Sequence, residues 1–457
     1  MNISDMKLED FLKTPVVCNC GHQHRINLKC AKIGFGVINE LPQIIKTAGY
    51  HKAFIVADQN TYKAAGNKVI DALKKAEIPY KLLILMGDTI IPDEAIIGSV
   101  MMAYEESCDF AIAIGTGTIN DIVKYFSFKI KLPYYIVATA PSMDGFISVS
   151  AAMITNNLKI TYDAHVPEVF IGDLEVLTAA PMSMIAAGFG DIMGKYTCLQ
   201  DWKLSAIINN EYYCETVKEI MALAVQRTIE SGKDLLNRDQ EAIKKLTEAL
   251  LLSGIAMSFV GNSRPASGSE HHMSHFWEMQ FQYEGKKPVL HGTKVGIGTI
   301  ISLKLYEFLK NEKIDFTKAR NESNFPTYEA WVNEINRVFP AVADDIILLE
   351  KQAGKNTIEH KNARINTIEE HWNDIKEVLE ATPQVEKLEE LLLNMKAPTR
   401  PIQVGIDKTL VKDSILYAKE VRNRYTILQL LWDLALLEKY ADRVVEFLFD
   451  NNDINKI

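Results

Sequence analysis

The chain has 457 residues, enough for two cores, and its 47% apolar and 24% charged residues are the balance of a globular rather than a disordered protein. Fifty Lys and Arg stand against 59 Asp and Glu, a net charge of −9 that argues against a nucleic-acid surface and leaves room only for a local basic pocket holding a small anion. No apolar run reaches the roughly 20 residues that span a bilayer. The N-terminus "MNISDMKLEDFLK" lacks an apolar signal region and six cysteines are too few for a disulfide scaffold, so the expected compartment is the cytoplasm.

Near the start, "CNCGHQHRI" (18–26) sets two Cys and two His close together. The spacing is tighter than the usual structural-zinc pairs, and the period-two alternation reads as an edge strand instead. From about residue 30 to 140, short apolar runs "KAFIVAD", "YKLLILM", "DFAIAIG" and "PYYIVATA" alternate with amphipathic stretches, the β-α-β pattern of a parallel sheet covered on both faces. Asp58 ends the first of these runs, where a carboxylate can accept from ribose hydroxyls.

The third run leads into Gly115-Thr116-Gly117-Thr118-Ile119 and a helical pattern. Small residues at such a strand-to-helix turn let the backbone approach a phosphate, although a glycine-rich turn can equally be only a turn. After the fourth run, "TAPSMDG" (139–145) brings Thr139, Ser142 and Asp144 to the same carboxyl edge. The pair "AAMITNNLKITYD" and "EVFIGDL" then reads as a hairpin turning at Asn156-Asn157.

Beyond about residue 173 the period becomes 3.6, so the second half is expected to be mainly helical. "AAGFGDIMGKYT" buries Asp191 in apolar surroundings, where the carboxylate needs a cation or strong donors. In "SGSEHHMSHFWE" a helix puts His271, His275 and Glu278 on one face and His272 about a quarter-turn away. That face is either a partly exposed polar surface or part of a ligand set. His291 heads another helix in an apolar context, and Asp191 with two imidazoles would suit a catalytic divalent ion. The charged stretch 344–396 reads as a solvated helical hairpin.

Together, "GTGTINDIVK", "ATAPSMDGFISVSA", "GFGDIMGKYT", "NSRPASGSEHHMSH", "LHGTKVGIGT" and "ILYAKEVRNRYTILQLL" resemble the metal-dependent polyol dehydrogenase superfamily of glycerol dehydrogenases, iron-type alcohol dehydrogenases and 3-dehydroquinate synthases. Within it the resemblance is strongest to bacterial sn-glycerol-1-phosphate dehydrogenases. It implies an α/β fold: a Rossmann-like parallel-sheet domain over residues 1–172, a helical metal- and substrate-binding domain over 173–457, and a site in the cleft between them. It implies metal ligands Asp191, His271 and His291, the metal being one divalent ion, zinc or nickel. Dinucleotide contacts to NAD or NADP follow at Asp58, Gly115, Thr116, Gly117, Thr118, Ile119, Thr139, Ala140, Pro141, Ser142 and Ser148. Substrate contacts or catalytic roles follow at Asp144, Asp191 and His275, on a small phosphorylated triose or polyol, in a homodimer with neither nucleic acid nor a membrane span. The implied reaction is reversible NAD(P)H-linked reduction of dihydroxyacetone phosphate. Thr116 departs from the Gly-Gly-Gly common in relatives. Lys294 and Arg264 are the basic residues nearest the histidines, read either as phosphate donors or as ordinary surface charges. A glycerol dehydrogenase is the rival reading; a synthase-like lyase is disfavoured because "MDGFISVSAA" has no Lys-containing "GGKT".

Overall fold

Apolar runs without polar alternation make strands buried on both faces, and the strands β1 (Val16–Val17), β2 (Gln23–His24), β3 (Cys30–Gly34), β4 (Ala53–Asp58), β5 (Tyr80–Leu85), β6 (Phe110–Gly115), β7 (Tyr134–Ala138), β8 (Ser150–Thr155), β9 (Leu158–Asp163) and β10 (Val169–Asp173) divide on that ground. The structure, a computed structural model, describes residues 6–13, 15–155, 158–322 and 327–449. It has two compact units, Met1–Ile192 with Glu215–Ser263, and Met193–Cys214 with Arg264–Ile457.

In the first unit six strands form a parallel sheet in the order β3-β10-β7-β6-β4-β5. All four runs read as strands from the sequence are in it. The chain steps outward from β4 to β5 and then returns to place β6 on the other side of β4, so the strand order reverses between β4 and β6. Ligands of open α/β sheets bind beyond the carboxyl ends at such a reversal. Ala57 pairs with Ile114 there, which sets Asp58 beside Gly115.

The expected hairpin needs correction. "AAMITNNLKITYD" alone makes it, as β8 paired antiparallel with β9, and its turn at 156–157 lies outside the described residues. "EVFIGDL" instead becomes β10, inserted between β3 and β7; its five residues are all buried, which fits a central strand and not a hairpin arm with one wet face.

The helices that bear on the site are α1 (Gly117–Lys129), α2 (Met182–Met193), α3 (Lys195–Asn209), α4 (Glu215–Leu236), α5 (Gln240–Val260), α6 (Ser269–Tyr283) and α7 (His291–Lys310). Helices α4 and α5 pack together in the first unit, and α6 packs on α7 in the second. No helix among the described residues is long and apolar enough to cross a membrane.

The stretch 344–396 is not one hairpin. It forms α8 (Ala343–Ala353), α9 (Ile358–Glu370), α10 (Trp372–Glu380) and α11 (Val385–Asn394), with Ile365, Ile368, Ile375 and Leu388 completely buried. Arg364 on α9 grips the buried Asp433 through two hydrogen bonds of 2.8 and 2.6 Å. The apolar residues recur at helical spacing among the charges, and the charges outnumber them enough to mask a seam. Ile365→Ala is therefore expected to cost about 2–5 kcal/mol, read from the denaturant midpoint; a neutral result would mean that this stretch is a solvated arm.

Candidate functional site

The first unit holds a carboxylate against a loop. Pro141 and Ser142 of the 139–148 loop lie under α2, and a Cβ at Gly188 would sit 1.9 Å from the Pro141 carbonyl oxygen. Only glycine allows that approach. Asp191, one turn further along α2 and wholly buried, accepts a 3.0 Å hydrogen bond from the Asp144 N–H through Oδ2. A backbone amide is thus one strong donor to this carboxylate. Asp144 itself accepts from the Ser253 hydroxyl on α5 at 2.6 Å.

Lys124, on α1, organises the rest of the loop. Its ammonium is fully buried and donates to the Gly145 carbonyl at 2.8 Å, Ser148 Oγ at 3.0 Å, the Ser150 carbonyl at 3.0 Å and Asp121 at 3.4 Å. Burial pushes its pKa down, against the pull of Asp121. Ser148, expected at the dinucleotide, is a partner of this lysine.

At the sheet edge, Gly115 ends β6 where a Cβ would stand 2.7 Å from that of Ile119. A Cβ at Gly117 would meet only Met143, at an ordinary 3.6 Å, so packing within the chain does not require glycine there. Thr116 makes no side-chain cap, so the first amides of α1 are not closed off by their own N-cap residue. The Thr139 N–H binds the Gly115 carbonyl at 3.1 Å and ties Thr139, Ala140, Pro141 and Ser142 to the Gly115–Ile119 turn. Asp58 caps the next helical turn, its Oδ1 accepting from Asn60 and Thr61 N–H at 2.7 and 2.8 Å.

The second unit carries a group of imidazoles. Helix α6 carries His271 and His275, and α7 begins at His291. The ring centroids of His271 and His291 are 5.2 Å apart, those of His275 and His291 5.8 Å, and those of His271 and His275 6.3 Å. Close helix packing makes this possible, because a Cβ at Gly298 on α7 would stand 2.7 Å from the Glu270 carbonyl oxygen. His272 is buried elsewhere, and its pKa is held well below the usual range by burial and by Arg422, Arg424 and Arg264.

Glu270 was not foreseen as a functional residue. Its buried carboxylate accepts from His271 Nδ1 at 2.7 Å, the Gly268 N–H at 2.7 Å and Thr197 Oγ at 2.5 Å. Burial alone would raise its pKa; these donors hold it below the ordinary carboxylate value. An imidazole that gives its Nδ1 hydrogen to a carboxylate carries the lone pair on Nε2, the form a metal ligand needs. Beside it, burial and the charge of Glu270 push Asp201 up to about 6, although Ser269 and Tyr306 donate to it. The adjacent acid in "SEHH" was the available signal for Glu270; nothing local marked Lys124 or Gly188.

Lys294 and Arg264 are not surface charges. Both are about 1% exposed, and Arg264 donates to Glu211 and to the carbonyls of Asp201 and Tyr425.

Each of Asp191, His271 and His291 offers a donor atom, and the three atoms lie within 4.8 Å of one another. A buried carboxylate, and an imidazole whose tautomer is set by a second carboxylate, fit a divalent cation.

A family model described as iron-containing alcohol dehydrogenase matches residues 32–181. A solved structure of a probable glycerol dehydrogenase from Sinorhizobium meliloti is 15% identical, with a TM-score of 0.59 over 91% of this chain and 98% of that one. The NADH-dependent butanol dehydrogenase A of Thermotoga maritima gives 16%, a TM-score of 0.58, and 94% and 98%. At that identity these structures speak for the fold, which is that of the iron-type and glycerol dehydrogenases. Glycerol-1-phosphate dehydrogenase [NAD(P)+] of Geobacillus thermodenitrificans is 33% identical over 94% of this chain and 99% of its own length, and that of Halalkalibacterium halodurans 39% over 65% and 76%. The chain belongs to the glycerol-1-phosphate dehydrogenase family.

Glu270→Gln keeps the shape of the side chain and removes its charge. It is expected to weaken divalent-ion binding about 10–100-fold, measured by metal titration of the stripped protein, with the fold intact by circular dichroism.

Proposed function

We propose that this chain catalyses the reversible NAD(P)H-linked reduction of dihydroxyacetone phosphate to sn-glycerol 1-phosphate, with one divalent ion, zinc or nickel, held by Asp191, His271 and His291. The grouping of one carboxylate and two imidazoles carries the metal-dependent part of the reading. The relatives aligned along nearly the whole chain support the substrate. When bound, the dinucleotide supplies the hydride and the ion supplies Lewis acidity toward the carbonyl oxygen.

The chain's own residues do the positioning. Residues 1–172 hold the dinucleotide: the amides at Gly115, Thr116, Gly117, Thr118 and Ile119 face its pyrophosphate with the positive end of α1. Thr139, Ala140, Pro141, Ser142 and Ser148 line it, and Asp58 takes the ribose hydroxyls through Oδ2, since Oδ1 is engaged in capping. Residues 173–457 hold the ion and the substrate. From the first domain Asp144, fixed by Ser253, reaches across to accept from a substrate hydroxyl, and from the second His275 orients the substrate or hands a proton to its oxygen. A homodimer in the cytoplasm goes with this reading.

Paired assays on dihydroxyacetone phosphate with sn-glycerol 1-phosphate, and on dihydroxyacetone with glycerol, separate this activity from that of an unphosphorylated-polyol dehydrogenase. Turnover confined to the phosphorylated pair is expected; preference for glycerol would overturn the substrate. His271→Ala should lose the ion and the activity yet bind dinucleotide nearly as before, and full turnover in metal-free buffer would remove it from the ligand set. Asp58→Ala should shift preference from NADH toward NADPH by relieving repulsion of the 2′-phosphate, measured as the ratio of the two kcat/KM values.

A further inference from the structure

The segment read from the sequence as a plain edge strand has a second property. Residues 18–24 do flank a two-stranded ladder, with Val16 opposite His24 and Val17 opposite Gln23. Two residue pairs are too few to hold a hairpin in water. What lies at its end is a cluster of soft donors. Cys18 Sγ is 3.1 Å and Cys20 Sγ 3.3 Å from His24 Nε2. A tetrahedron built on Zn–S near 2.3 Å and Zn–N near 2.0 Å has an S···N edge of about 3.5 Å. The two sulfurs are 2.6 Å apart, nearer than unbonded thiols pack and longer than the about 2.05 Å of a disulfide.

The surroundings prepare the donors for a cation. His24 is completely buried, its ring stacked on Phe259 at 5.1 Å, and its Nδ1 lies 3.3 Å from the Phe259 carbonyl oxygen. A carbonyl can only accept, so the ring hydrogen is on Nδ1 and the Nε2 lone pair faces the sulfurs, the outer partner usual for a metal-bound histidine. The His22 N–H points at Cys20 Sγ, 3.4 Å away, which favours a thiolate. His22 itself is exposed. The fourth donor comes from nearly two hundred residues along the chain: Cys214, buried immediately before α4, has its sulfur within 4.8 Å of the other three donor atoms. No spacing rule applied to "CNCGHQHRI" could find it.

We propose that Cys18, Cys20, His24 and Cys214 bind one zinc ion in a closed, structural site. Three thiolates and one imidazole match the soft-donor preference of zinc and fill a tetrahedron, leaving no position for water or substrate. On binding, the three thiols release their protons and no electrons are transferred. The site fastens the short hairpin to the end of α5, where Phe259 lies, and to the residue in front of α4. A Cys18–Cys20 disulfide is the competing chemistry, but it would leave His24 and Cys214 without a reason to converge on the pair.

The test is metal content together with a thiolate-specific signature. Elemental analysis of the full-length protein should find a zinc equivalent that His271→Ala retains and that the double variant Cys18→Ser/Cys20→Ser lacks, with a lower Tm in the double variant. Cobalt substitution should give a sulfur-to-cobalt charge-transfer absorption that survives His271→Ala. Should the double variant fail to fold, the wild-type protein decides. An organomercurial, which competes for thiolates and not for an Asp-His-His set, should release one zinc equivalent into a chromogenic chelator. No zinc released, stoichiometric iron or copper in its place, or a chain two hydrogens lighter with Cys18 and Cys20 linked would each overturn the proposal.

Discussion

The backbone contact between Gly188 and the Pro141 carbonyl is the constraint on which the placing of Asp191 against the 139–148 loop depends. Where a Cβ would come within 1.9 Å of that oxygen, no side chain can be accommodated by a small shift, so α2 either carries glycine or moves off the loop. Moving off would separate Asp191 from the Asp144 amide and bury a carboxylate without its donor, a loss of about 1–3 kcal/mol or more for a charged group. The same loop carries the residues assigned to the dinucleotide and to the substrate. One glycine therefore sets the relative positions of Asp191, Asp144 and the Gly115–Ile119 turn, which Thr139 ties to the loop through the Gly115 carbonyl.

Buried charge is the second organising theme, and in each case it is surrounded before it is used. Lys124 has four acceptors and Glu270 three donors. Breaking one member of such a set leaves the others uncompensated, which costs more than the pair contributes when intact. The arrangement thus rigidifies more than it stabilises. For Lys124 the rigid element is the 139–148 loop; for Glu270 it is the tautomer and the direction of His271. Asp201, raised to about 6 beside Glu270, shows how closely two carboxylates have been brought together to support the start of α6.

The parallel sheet, the glycine-rich strand-to-helix turn, the buried Asp191 and the histidine-bearing helix were legible because each is announced by a local pattern. Four strands were bounded to within two residues by their apolar runs. What escaped was set by partners distant in sequence. "EVFIGDL" was paired with its neighbour, although its lack of alternation marks a strand covered on both faces; only the sheet order puts it between β3 and β7. Lys124 reads as a surface lysine on an amphipathic helix until the 145–150 backbone closes over it. Gly188 reads as a weak spot in a helix until the loop beneath it is known. The charged stretch 344–396 hid its seam because Ile365, Ile368 and Ile375 are sparse among exposed Glu and Lys, and sparse apolar residues at helical spacing still suffice when another helix lies against them.

The two donor groups differ in a way that follows from chemistry alone. Asp191, His271 and His291 are three oxygen and nitrogen donors, a set that suits several divalent ions and leaves a tetrahedral metal one position short. Cys18, Cys20, His24 and Cys214 are four donors, three of them sulfur, a set that discriminates strongly among metals and closes the coordination shell. An ion that must meet a substrate oxygen belongs in the first kind of set, where an open position is the point; an ion that only has to hold a two-pair hairpin in place belongs in the second. Donor hardness and coordination number thus divide the two tasks, with an open position left in one set and a closed shell in the other.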